Sequence, residues 1–80
     1  MPFPLKKLRR ILKAYDAWED STRGKGSHTM FFRRVGGSVF SYPIPTHRPE
    51  VNDSYVKGVR KKFKLTLADG VSDQEFFGKA

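Results

Sequence analysis

The segment TMFFRRVGGSVFSYPI, residues 29–44, decides the fold. Its two halves, Thr29 to Val35 and Ser38 to Ile44, are rich in aromatic and β-branched residues, and Gly36-Gly37 stands between them. Such side chains suit the pleated, half-buried surface of a sheet. Adjacent glycines supply the positive φ that a two-residue hairpin loop demands. The segment therefore predicts an antiparallel hairpin. Pro43 and Pro45 lack an amide donor, so the second strand ends there or lies at an edge. Arg33 and Arg34 are consecutive on one strand and point to opposite faces, one of them away from the helices. Phe31, Phe32, Phe40 and Tyr42 are assigned to the core, because a small domain needs its aromatics inside.

Working back from the hairpin, Gly24-Lys25-Gly26-Ser27 is a second break, and Trp18 to Arg23 before it reads as a short, polar first strand. Leu5, Leu8, Ile11, Leu12, Tyr15 and Trp18 recur at intervals of three and four. That spacing predicts one buried stripe of a helix from about Pro4 to Asp16, with Lys6, Lys7, Arg9, Arg10 and Lys13 on the other side. Pro4 suits the first turn, where no amide donor is needed. Working forward, a loop over Thr46 to Asn52 leads to a helix capped by Asn52 or Asp53 and running to about Lys64. Val56, Val59 and Phe63 form its inner stripe. Ser72 and Glu75 match a capping box for a short last helix, which Phe76 and Phe77 would dock. The expected fold class is α+β, in the order α-β-β-β-α plus a short C-terminal helix. The three strands form an antiparallel sheet with both helices on one face.

The chain has 80 residues, enough for one domain with a small core. It contains no cysteine, which excludes disulfide staples and thiolate zinc sites and fits a reducing compartment. No apolar run approaches the ~18 residues of a membrane span, and no cleavable leader is evident, so the expected location is cytoplasmic, away from membranes. The formal charge is +8. By segment it is +6 over residues 1–34, +4 over 35–64 and −2 over 65–80. This surplus favours an anionic partner, nucleic acid first among them.

The chemically loaded stretch is Arg23-Gly24-Lys25-Gly26-Ser27-His28. Glycines let backbone amides approach a phosphate, Arg23 and Lys25 bring positive charge, and an imidazole transfers protons near neutrality. Spacing alone carries little here, since a glycine turn is usually only a turn and a lone histidine usually packs. Arg33, Arg34, Arg60 and Lys61, with Lys6, Lys7 and Arg10, form a candidate surface for a nucleic-acid backbone; the alternative for each is ordinary solvation of a helix or strand.

Taken together, Leu5 to Lys13, Trp18-Glu19, the block Lys25-Gly26-Ser27-His28 before an aromatic strand, Pro43-Ile44-Pro45-Thr46-His47, and Val56 to Phe63 resemble the HicA toxins. These are small bacterial endoribonucleases, or mRNA interferases. Gly70 to Phe76 looks like an extension found in some members, which implies a core over 1–64 and an extension over 65–80 of a single 1–80 domain. The resemblance implies a double-stranded-RNA-binding-domain-like fold and His28 as the catalytic base for attack by the RNA 2′-hydroxyl. Arg23, Lys25 and the amides around Gly26 and Ser27 would then offset charge on the phosphoryl group. No cofactor or metal is implied. The implied partners are mRNA and an acidic antitoxin of the HicB type. Two other readings stay open: a module of this fold that holds RNA without cutting it, and a structural domain charged for solubility.

Overall fold

Which side chains leave water sets the layering of the molecule. The computed structural model describes residues 2–22 and 28–80. In chain order the elements are β1 (Phe3–Pro4), α1 (Leu5–Ala14), β2 (Trp18–Asp20), β3 (His28–Val35), β4 (Ser38–Pro45), β5 (Glu50–Val51) and α2 (Asp53–Lys62). A 3-10 turn (Leu67–Asp69) and α3 (Asp73–Phe77) complete it. Strands β2, β3 and β4 form an antiparallel sheet in that order, which puts the proline-bearing β4 at an edge.

The hairpin forms where the two glycines predict it. Val35 pairs with Ser38, leaving a two-residue loop. Of the two glycines only Gly36 takes a positive φ, at 61°. That is the pattern of a type II′ turn, with its glycine at the first central position.

Thr29, Phe31 and Ile44 are the fully buried residues of the sheet, and their register places them on one face. Onto that face α1 contributes Leu5, Leu8, Ile11 and Leu12, and α2 contributes Val56 and Val59. Val51, Phe63, Leu65, Val71 and Phe76 complete the same cluster. Segment 65–80 is thus woven into the core, and no packing boundary falls at residue 64.

Two expectations need correction. Helix α1 stops at Ala14, and Trp18 belongs to β2 rather than to the helix stripe. Strand alternation turns Phe32 away from its buried neighbour Phe31, so Phe32 faces outward, paired in register with Trp18. Trp18 is 45% exposed. Phe40 and Tyr42 are half-buried against the core.

The two-stranded pairing of β1 with β5 is an addition to the expected order. It clamps the segment after β4 to the entrance of α1, helped by the Leu5 amide donating to the Pro49 carbonyl at 2.9 Å.

Candidate nucleic-acid interface

His28 is the first residue of β3, and its register partner is Pro45, the last residue of β4. It is half-buried, and its ring lies 6.3 Å from that of Tyr55, tilted by 58°. Side-chain hydrogen bonds brace this end of the sheet. The hydroxyls of Thr29 and Thr46 are hydrogen-bonded at 2.7 Å, tying β3 to the segment beyond β4. Tyr55 stands in the first turn of α2, whose start is set by the Asn52 side chain accepting from the Ser54 amide at 2.9 Å.

Pro45 and Tyr55 are also walls of a groove of ≈ 590 Å³ that holds His47, Arg48 and Glu50. A second groove of ≈ 580 Å³ shares His47 and Arg48 and is bounded by Lys6, Arg9 and Arg10 of α1. The Arg9 guanidinium is taken up by Glu19, at 3.0 and 3.1 Å. Lys6, Arg10 and Arg48 are exposed. The two grooves therefore set Lys6, Arg10 and Arg48 around the exposed imidazole of His47, with Glu50 opposing them, an arrangement that suits phosphate contacts along a polynucleotide.

The other candidates are distributed unevenly. Arg23, Lys25, Gly26 and Ser27 lie outside the described residues. Lys61 is exposed on α2, six residues beyond Tyr55. Arg33 and Arg60 have structural occupations. Arg33 faces the helices and donates to the carbonyls of Tyr15 (3.1 Å) and Phe63 (2.7 Å), the C-cap residues of α1 and α2. Its guanidinium thus joins the negative ends of both helix dipoles. Arg60 donates to the carbonyls of Leu65 and Val71 and to the Asp73 carboxylate, and lies 4.5 Å over the Phe76 ring. Of the two strand arginines, Arg34 is the one that faces outward and is exposed.

Sequence reasoning passed over Tyr55 and Arg48 as site residues. Tyr55 was legible only as a flank of the helix stripe, and Arg48 sits in a loop whose path depends on the β1–β5 pairing. The outward placement of Phe32 did have a signal, the alternation already applied to Arg33 and Arg34. Among the described residues no group of three His, Asp or Glu side chains is placed to hold a metal ion, and no helix is long and apolar enough to cross a membrane. No family profile, curated protein or solved structure matches this chain.

Proposed function

We propose that this chain is a metal-independent endoribonuclease of the HicA type, a toxin acting on mRNA and neutralised by an acidic HicB-type antitoxin. The observation that carries the reading is a half-exposed His28 at a strand end, next to Pro45 and Tyr55, two walls of a groove that holds His47 and Arg48. The element order and a sheet covered on one face by helices are compatible with a double-stranded-RNA-binding-domain-like fold.

RNA carries its own nucleophile, so the enzyme needs a base, charge stabilisation and geometry. His28 takes the 2′-hydroxyl proton as that oxygen bonds to the adjacent phosphorus. The bond from phosphorus to the 5′-oxygen breaks, and the departing oxygen receives a proton from water, Lys25 or His47. The products are a 2′,3′-cyclic phosphate and a 5′-hydroxyl end. Lys25, Arg23 and the amides around Gly26 and Ser27 offset charge growing on the phosphoryl oxygens. An antitoxin acts by covering His28 and the cations beside it.

The reading predicts that His28→Ala lowers cleavage of a single-stranded RNA by roughly 10²–10⁴-fold and leaves affinity for RNA largely intact. End-group analysis of the products and filter binding measure the two quantities. Unchanged cleavage in the variant would remove His28 from the chemistry. Binding without any cleavage by the natural chain would favour the non-catalytic RNA-binding module. Loss of cleavage on adding a chelator would argue against a metal-free route.

A further inference from the structure

We propose that the open face of the three-stranded sheet binds single-stranded RNA, with Trp18 and Phe32 stacking an unpaired base. The choice of RNA rests on the ribonuclease reading above; the surface itself rests on separate observations.

The two rings sit on adjacent strands in direct register, with centroids 5.7 Å apart and planes within 19°. The chain has one tryptophan, and it is left 45% exposed in a domain that has little apolar surface to spare. Met30, and Val39 at 46% exposure, extend the same face on either side. Arg34 lies two residues beyond Phe32 on that face, is exposed, and makes no ion pair among the described residues. The nearby carboxylates are engaged. Glu19 holds Arg9, and Asp20 accepts from the amide and hydroxyl of Thr22. A stacked aromatic pair with one exposed indole, beside a cation, on a chain of charge +8, complements a flexible polyanion with flat bases.

A second copy fits this face less well. It would set Arg34 and the same surplus of charge against themselves. A patch of about five side chains also falls well short of the ~800 Å² per partner of a stable interface. A duplex fits poorly too, because its base faces are hidden within the stack.

The platform lies on the same strand as His28, whose ring stands at the strand end beside Tyr55 of α2. Phe32 and His28 occupy the same alternation of β3, four residues apart, which spans roughly 13 Å of strand. A base held on the platform therefore leads the neighbouring nucleotides past Met30 toward the strand end that His28 opens.

The intrinsic fluorescence of Trp18 tests this directly. The probe is a short 2′-O-methyl RNA of mixed sequence, which lacks the nucleophile and stays intact, used as a single strand and as a blunt duplex. The single strand is expected to change Trp18 emission saturably, at the concentration where anisotropy of a labelled strand reports binding, and the duplex to leave it unchanged. Phe32→Ala is expected to weaken single-strand binding about 5–150-fold, the equivalent of one lost base stack, while circular dichroism shows the fold retained. Strand binding by anisotropy with unchanged Trp18 emission would overturn the stacking proposal and leave the RNA reading standing. Absence of binding at low salt would overturn both. Emission that follows protein concentration alone, with a dimer in sedimentation, would assign the face to a second copy and overturn the proposal.

Discussion

At the scale of the residue, Arg33 is the most instructive position. Its neighbour Arg34 has the same charge and the opposite fate, because alternation along β3 sends one guanidinium inward and the other outward. Charge alone could not tell which was which. Nor could any local pattern show that the C-caps of α1 and α2 converge on one side chain, since that meeting exists only once both helices lie on the sheet. A planar fork reaches both carbonyls at once, whereas an ammonium is a single point. Arg33→Lys is therefore expected to cost about 1–2 kcal/mol and Arg33→Met about 3 kcal/mol, from hydrogen bonds to a charged group worth ~1.5–3 kcal/mol each. Urea unfolding measures this. On the proposed RNA-binding reading, neither variant should change the salt dependence of binding, whereas Arg34→Gln should reduce its slope by about 0.7 for a single strand.

At the scale of the element, helix interiors were legible and their ends were not. The stripes Leu5, Leu8, Ile11, Leu12 and Val56, Val59, Phe63 all reach the core as their spacing requires. The stops are a different matter, because no glycine marks them. Helix α1 ends with the Asp16 amide donating to Lys13 and the Ala17 amide to Leu12, and α2 ends likewise through Lys64 and Leu65. In both, a non-glycine residue takes the left-handed position, Asp16 at φ 64° and Lys64 at φ 59°. Asp16 adds a negative charge at the negative end of a helix. Asp16→Gly is expected to stabilise the domain by about 0.5–1 kcal/mol, read as a rise of a few degrees in Tm.

The turn before α3 makes a pH prediction. The Thr66 hydroxyl and then its amide, at 2.7 and 3.1 Å, hold the Asp69 carboxyl below its ordinary value of 3.8. A carboxyl that is more acidic folded than unfolded contributes stability above the unfolded value, and that contribution fades as pH falls through the folded one. The advantage of the natural chain over Asp69→Asn, measured by thermal melts, should therefore shrink below about pH 4. The two-residue strands β1 and β5 had no comparable signal, since a pairing so short has no periodicity to read.

At the scale of the whole molecule, the last sixteen residues are structural. Arg60 ties Leu65, Val71 and Asp73 to α2, and Phe76 is fully enclosed. Total stability for a chain of this length is about 4–12 kcal/mol, and losing one buried Phe costs about 3–5. A fragment ending at residue 64 is therefore expected to lack a cooperative thermal transition by circular dichroism. The charge, the hairpin and the position of His28 at a strand start were all visible in the chain. What stands beside that histidine was not, because Tyr55 reaches it from a helix placed only by tertiary packing.

The borders of the sheet carry a last consequence. Pro43 and Pro45 belong to the same alternation of β4, and a proline inside a paired strand turns its missing donor to the outer side. The opposite border, β2, is three residues long. Among the described residues neither rim offers a long run of free amides for another chain to zip onto, so end-to-end polymerisation through backbone ladders is blunted from both directions. A protein that docks on this sheet is therefore expected to seat on its surface through side chains rather than to lend it a fourth strand.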